Sequence, residues 1–164
     1  MNSEHHYSVR IQWQGNRGSG TSDYRSYSRQ HVIEADGKHD ISGSADRVFH
    51  GDRDRWNPEE LLVAALAQCH MLSYLHVAAS HGVVVTDYTD SPVGTMVQTP
   101  GGGGHFTLVV LHPVVTVSAP PGDDEAIVEL AAALHGEAER KCFIAASMGF
   151  PVHHAVTTIV TPSA

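Results

Sequence analysis

The sequence predicts an α+β fold, because strand segments and helices follow one another as strands, helix, strands, helix and strand. Residues 7–15 alternate apolar and polar side chains, as half-buried strands do. Residues 57–80 read as one long apolar helix, and two strand-like segments further on flank a run of four glycines. With 164 residues, the chain is expected to form a single domain, 1–164.

The N-terminal part is predicted to contribute three strands. In the first, alternation places four apolar side chains on one face, which is expected to be half-buried: Tyr7, Val9, Ile11 and Trp13. A glycine-rich loop at 16–23 leads to a second strand over 24–35 with a polar face. A third, short strand is expected at 41–45, after a turn.

The long helix has a well-marked start and end. Asn57 is a good N-cap, Pro58 suits the first helical position, and Glu60 is placed to complete a capping box. Gly82 is a natural stop signal. Because positions 61–67 are apolar on every side of the helix, we expect this helix to be buried at the centre of the fold or of a dimer.

The C-terminal part is predicted to hold strands, a second helix and a final strand. Segments 83–99 and 105–119 read as strands joined by a hairpin turn at the glycines. The second helix precedes Cys142, and the chain closes as a strand over 153–161. Three acidic residues suit the positive end of the second helix: Asp123, Asp124 and Glu125. Its apolar stripe is expected to consist of Ile127, Leu130, Ala131 and Leu134.

Composition narrows the classes of function. Ten Lys and Arg stand against 18 Asp and Glu, which argues against nucleic acid or an anionic membrane as a partner. No apolar run reaches the length of a membrane-spanning helix, and residues 1–7 are too polar for a secretory signal, so the expected location is cytoplasmic. Thirteen histidines raise the hypothesis of a metal site.

Cys69 and Cys142 are the two cysteines of the chain, too few for a disulfide framework. They could be small buried hydrophobic residues, metal ligands or a redox pair. The segment NPEELLVAALAQCHM, residues 57–71, narrows this choice, because it carries two glutamates at the helix start and a cysteine in its middle.

That segment resembles the central helix of the OsmC/Ohr family of thiol-dependent peroxidases. The matching features are the Asn-Pro-Glu-Glu-Leu start and the spacing of ten residues from Glu59 to Cys69. Cys142 matches the second family cysteine, and Trp13 with Gly15 matches a motif of the first strand. The resemblance implies antiparallel sheets around a central buried helix and an intertwined homodimer. It also implies peroxidase activity without a metal or other cofactor.

The resemblance further implies a two-cysteine mechanism. Cys69 attacks an organic hydroperoxide and becomes a sulfenic acid, Cys142 condenses with it to a disulfide, and a small dithiol or thiol, similar to lipoamide, reduces the disulfide. Glu59 matches the glutamate that orients the thiolate-stabilising arginine. Since ten helical residues rise about 15 Å, Glu59 is expected to serve Cys69 of a second subunit.

Three arginines are candidates for the thiolate-stabilising role. Arg17 lies in the glycine-rich loop, where the Ohr branch has its arginine. Arg47 lies in DRVFHGD, which departs from the pattern of the OsmC branch by one additional residue before the helix. Arg55 is close to the helix start. We favour Arg17, then Arg47.

Two other functions remain open from the sequence. The same fold could bind a small apolar ligand and merely bury its thiols, and the aromatic side chains and Met71 could wall a pocket or belong to the core. A zinc site formed by Cys69, Cys142 and a histidine is the other alternative. His70 could hold the Cys69 thiolate, although a packing role is the simpler interpretation.

Overall fold

The structure, a computed structural model, describes residues 4–119, 122 and 124–162. Its contacts divide the chain into two units, Met1–Leu62 and Val63–Ala164. The single domain expected from the sequence therefore stays a prediction.

The first unit is built on a three-stranded antiparallel sheet in the order β1-β2-β3. Its strands are β1 (Arg10–Trp13), β2 (His31–Glu34) and β3 (Ile41–Gly43). The second strand is shorter than the prediction over 24–35 because residues 24–30 form turns and loop. The Arg29 guanidinium holds this loop, donating to the carbonyls of Tyr24 and Tyr27 at 2.6 and 2.7 Å while contacting both rings.

The apolar face of β1 is exposed, so the prediction that it is half-buried was wrong for the single chain. Val9 and Ile11 are each 65% exposed, and Tyr7 and Trp13 are exposed as well. The alternation correctly predicted a strand, although the strand is only Arg10–Trp13. Alternation does not specify which element, if any, covers the apolar face. Tyr7 and Trp13 are therefore not core residues of one chain.

The charged loop before the long helix contains a 3₁₀ helix, Arg47–Phe49, which the side chain of Asp46 caps. Helix α1 (Pro58–Ser80) then begins with the expected capping box. The Asn57 side chain accepts from the Glu60 N–H at 2.8 Å, and Glu60 accepts from the Asn57 N–H at 3.2 Å. Gly82, with a φ of 72°, follows the end of the helix as predicted.

Within the single chain, helix α1 is less buried than expected for a helix at the centre of the fold. Within 61–67, Leu66 and Ala67 are buried and the other positions are half-buried, and Leu72 is 59% exposed. By length and composition, α1 is the one helix among the described residues that could cross a membrane. Core helices of soluble proteins meet the same criterion, so it does not by itself indicate a membrane span. The buried residues of α1 include the polar side chains of His70 and Tyr74.

The second unit holds two three-stranded mixed sheets. One has the order β4 (Val84–Asp90), β7 (Pro113–Ala119) and β9 (Thr157–Pro162). The other has the order β5 (Val93–Gln98), β6 (Gly104–Leu111) and β8 (Val152–His154). The glycine turn joins β5 and β6 as predicted, with positive φ angles of 101° and 87° at Gly101 and Gly102.

The α+β class is confirmed, although the sheets are not wholly antiparallel. Strands β8 and β9 run parallel to β6 and β7, respectively. The reason is the long connection after β7, which contains helices and returns the chain in the same direction. The single final strand predicted over 153–161 is two strands, because the chain passes from one sheet to the other between His154 and Thr157.

Helices α2 (Asp124–Lys141) and α3 (Phe143–Ala146) lie in this connection. Ala131 and Leu134 of the predicted stripe are buried, and Ile127 packs against the core. Leu130 is exposed, and the buried face continues instead through His135 and Ala138. Asp123, the first of the predicted acidic residues, lies outside the described residues.

Two apolar clusters of the second unit contain residues of α1. One joins α1 to β7 and α2, with Tyr74, Val77, Val115, Val117, Ala131 and Leu134 among its members. The other joins α1 to β6 and includes Leu66, Val109, Leu111 and Cys142. The second cluster positions the cysteines.

Candidate active site around Cys69 and Cys142

Cys69 lies in the middle of α1 and is half-buried. It packs against the apolar cluster that contains Leu66, Leu111 and Cys142. Phe106 and Phe150 pack against the same cluster, with ring centroids 5.6 Å apart. Phe106 thus contributes to the apolar surroundings of the two thiols.

Cys142 lies between α2 and α3 and is fully buried. Its N–H donates to the carbonyl of Glu139 at 3.1 Å, which continues the last turn of α2. Its sulfur accepts from the N–H of Ala145 at 3.4 Å and so caps α3. Burial, and after it a hydrogen bond with Cys69, raises the pKa of the Cys142 thiol to about 11.

The structure therefore brings the two thiols together, 73 positions apart in the sequence. Both are free cysteines, not joined in a disulfide. When one of two contacting thiols is oxidised to a sulfenic acid, the other can attack its sulfur to form a disulfide. Because the first nucleophile has to be a thiolate, the raised pKa of Cys142 argues against Cys142 as the cysteine that reacts first.

Glu59 lies in the first turn of α1 and is half-buried. Its Oε2 atom is buried, and no hydrogen-bond partner for it is found among the described residues. A buried carboxylate oxygen without a donor is costly. Glu59 is thus a residue to which an arginine donor would add a favourable contact.

The three candidate arginines line two cavities of the first unit. Arg17 lines a cavity of about 290 Å³ together with Arg25, Arg29 and Asp52. Arg47 and Arg55 both line a second cavity of about 280 Å³, which Asp52 also borders. Within the part of the chain that the structure describes, none of the three candidates forms an ion pair. Their guanidinium groups are available to a carboxylate or a thiolate.

Comparison with known proteins identifies the family of this chain. The model of the family described as OsmC-like protein matches residues 50–157, a range that includes both cysteines and Glu59. The chain belongs to the OsmC-like family. Of the three candidate arginines, Arg17 and Arg47 lie outside the matched range and Arg55 lies within it.

Solved structures agree with this assignment. An OsmC-like protein of unknown function from Vibrio cholerae O1 biovar eltor is 33% identical, with a TM-score of 0.78, and the match covers 94% of this chain and 99% of that one. An organic hydroperoxide resistance protein from Elizabethkingia anophelis is 18% identical, covers 97% and 100% of the two chains and has a TM-score of 0.64. One from Legionella pneumophila is 20% identical, covers 95% and 99%, and has a TM-score of 0.63. These last two show the shared fold. No curated protein matches the sequence.

This OsmC-like protein also has a polar cluster that the sequence did not predict. His70 of α1 lies between His135 of α2 and His154 of β8. The ring nitrogens Nε2 of His70 and Nδ1 of His135 are 2.9 Å apart, and Nε2 of His154 is 3.2 Å from Nδ1 of His70. Both ring nitrogens of His70 are thus engaged, so neither is free to hold the Cys69 thiolate.

The spacing of histidines along the chain could not reveal this cluster. Helical spacing tests histidines within one element, whereas these three come from three elements and meet only in the fold. The one sequence signal was the interruption of the apolar α1 by Gln68 and His70. Among the described residues, no group of three or more His, Cys, Asp and Glu side chains is arranged to hold a metal ion.

Proposed function

We propose that this OsmC-like protein is a cysteine-based peroxidase that reduces organic hydroperoxides to alcohols. The observation that carries the proposal is the contact between Cys69 and the buried, hydrogen-bonded thiol of Cys142. The names of the Elizabethkingia and Legionella relatives support the choice of substrate class. The apolar surroundings, including Phe106 and Phe150, suit an alkyl or aryl group better than hydrogen peroxide.

In the first step, the Cys69 thiolate attacks the distal oxygen of the hydroperoxide. The O–O bond breaks, Cys69 becomes a sulfenic acid, and the alkoxide takes a proton to leave as the alcohol. In the second step, the Cys142 sulfur attacks the Cys69 sulfur, and the hydroxyl group leaves as water with the proton of the Cys142 thiol. A dithiol similar to lipoamide then reduces the Cys69–Cys142 disulfide by thiol–disulfide exchange and is itself oxidised to a disulfide.

Glu59 and an arginine complete the proposed site. As the family resemblance implies, Arg17, with Arg47 as the next candidate, donates to a Cys69 thiolate and is oriented by a Glu59 carboxylate, which serves Cys69 of the second subunit. The buried Oε2 of Glu59, which has no described donor, supports this role. We propose that the reaction takes place in the cytoplasm, where thiol pools keep the cysteines reduced between turnovers.

We also propose that the protein is a homodimer, as the family resemblance implies. The exposed apolar side chains of Val9, Ile11 and Leu72 support a second copy as the covering partner. Sedimentation equilibrium is expected to give twice the chain mass of 17.6 kDa. Replacing Ile11 by Lys should shift the protein towards the monomer, whereas Lys at the exposed position 12 of the opposite face should not. A wild-type mass of one chain at micromolar concentration would contradict the homodimer.

The reaction class is tested by intact mass under non-reducing, denaturing conditions before and after a slight excess of cumene hydroperoxide. Disulfide formation is expected to remove about two mass units, and a dithiol should restore them. Cys69→Ser should abolish the change, and Cys142→Ser should gain one oxygen at Cys69 and then two or three. An unchanged wild-type mass would reject the peroxidase and favour the binding of an apolar ligand.

A further inference from the structure

The histidine cluster joins α1, α2 and β8 by hydrogen bonds between side chains. His70 is 1% exposed and His135 is 3% exposed, so the hydrogen bond between them lies away from water. His154 is half-buried, and its hydrogen bond with His70 is partly buried. Tyr74, one turn after His70, stacks on the His135 ring with centroids 3.9 Å apart. The three imidazoles therefore form a continuous chain from β8 through α1 to α2, which we call the histidine chain.

The histidine chain is built from neutral rings. Burial lowers the pKa of His70 to about 3 and that of His135 to about 4, and the pKa of His154 is lowered as well. A neutral imidazole carries one donor and one acceptor. Each internal hydrogen bond of the chain can therefore form only when neighbouring rings adopt matching tautomers.

Charged and titratable groups around the chain favour one order of tautomers. The Glu139 carboxylate of α2 lies 3.9 Å from Nδ1 of His154, and a carboxylate there favours a proton on that nitrogen. His70 then donates from Nδ1 to Nε2 of His154, and His135 donates from Nδ1 to Nε2 of His70. Asp90 and His153 also interact with His154, and Tyr74 stacks on His135. Tyr88 and His112 interact in turn with Asp90.

The centre of the histidine chain and the residue that faces one of its ends each lie next to one of the two cysteines. His70 follows Cys69 directly on α1. Glu139, which faces His154, accepts the backbone N–H of Cys142 at its carbonyl. A bond between His70 and His135 fixes α1 against α2, and a bond between His70 and His154 fixes α1 against β8. The contact between Cys69 and Cys142 depends on that same relative placement.

We propose that His70, acting through His135 and His154, is a positioning residue for the thiol pair. The histidine chain holds α1 against α2 and β8 so that Cys142 stays within reach of Cys69. Its catalytic consequence, rapid trapping of the sulfenic acid before over-oxidation, rests on the proposed peroxidase function. The positioning itself does not depend on the peroxidase function. It determines how effectively Cys142 meets Cys69 whenever the two thiols are oxidised to a disulfide, whatever the oxidant.

The reduction potential of the Cys69–Cys142 disulfide measures the effective concentration of one thiol at the other without a hydroperoxide. The disulfide is first formed with diamide, which takes two electrons and two protons from the thiols and becomes a hydrazine. The protein is then equilibrated with mixtures of reduced and oxidised dithiothreitol. His70→Leu, which removes both hydrogen bonds, is expected to lower the equilibrium constant for disulfide formation at least tenfold, a shift of about 30 mV.

Two further variants separate positioning from general stability. His76→Leu makes the same change at an exposed site of α1 and should leave the potential unchanged. His70→Gln can replace one of the two hydrogen bonds and should restore part of the loss. A His70→Leu protein that melts at a lower temperature but keeps the wild-type potential would have lost stability only, and the proposal would be overturned.

If the His70→Leu protein does not fold, His154→Leu takes its place in the same assay. This substitution removes one hydrogen bond, at the β8 end of the histidine chain. A fall of threefold or more in its equilibrium constant supports positioning, and a wild-type value overturns it. The failure of the peroxidase function would be seen separately, as the absence of any reaction of Cys69 with cumene hydroperoxide while diamide still forms the disulfide.

Discussion

At the scale of single residues, the Trp13 and Gly15 motif has a structural explanation. The Trp13 indole N–H donates to the Ser28 carbonyl at 2.8 Å, and the Ser28 N–H donates to the Gly15 carbonyl at 2.9 Å. A Cβ atom at Gly15 would lie only 1.7 Å from the Ser28 oxygen. The motif therefore fixes the loop that carries Arg17, rather than taking part in chemistry itself.

Gly15→Ala is expected to destabilise the protein by about 1–3 kcal/mol or more, because the backbone of Ser28 has to move to admit the methyl group. Gly136→Ala is the matched control, since its Cβ would meet only the flexible Arg140 side chain at 3.9 Å. In the middle of α2, alanine should increase stability by about 0.5–1 kcal/mol. Urea denaturation measures both changes. Equal effects of the two substitutions would contradict the close packing at Gly15.

At the scale of elements, the start of α1 is determined by residues close to it in the sequence. The elements that pack around α1 are not determined in this way. Asn57 is buried, and its side chain and that of Glu60 satisfy each other's backbone N–H groups. These bonds need only residues three apart, so the sequence was enough to predict them. Which faces of α1 are covered depends on β6, β7 and α2, which are distant in the sequence.

Asn57→Ala should lower the free energy of unfolding by about 1 kcal/mol, because the Glu60 N–H loses its acceptor. Glu60→Gln serves as the control: glutamine can still accept from the Asn57 N–H and should cost much less. Thermal denaturation followed by circular dichroism compares the two variants. If Asn57→Ala were as stable as the wild type, the capping box would contribute nothing to the folded state.

At the scale of the whole molecule, an acidic chain with a formal net charge of −8 contains buried histidines that remain neutral. His70 and His135 have lowered pKa values, so between pH 6.5 and about 4 the unfolded chain binds protons that the folded chain does not. Stability is therefore fully present above pH 6.5 and is lost as the pH falls towards the folded pKa values. Asp90, whose pKa burial raises, acts in the opposite sense.

The free energy of unfolding is expected to fall between pH 6.5 and 4.5 by up to about 1.4 kcal/mol per pH unit for each buried histidine. His70→Leu should reduce this slope by the contribution of about one proton, which is about 1.4 kcal/mol per pH unit, whereas His76→Leu should leave the slope unchanged. Urea titrations at half-unit steps of pH provide the measurement. A slope that His70→Leu leaves unchanged would show that His70 is not buried as a neutral ring.

The sequence by itself determined the helix caps, the glycine hairpin between β5 and β6 and the two cysteines as the residues to examine. Each depends on neighbours in the chain or on a motif of consecutive residues, as in 57–71. The tertiary structure decided the parallel pairing of β8 and β9, the exposure of the β1 face and the contact of Cys142 with Cys69. It alone assembled His70, His135 and His154, because hydrogen bonds between residues 65 and 84 positions apart depend on how whole elements pack and leave no periodicity in the sequence.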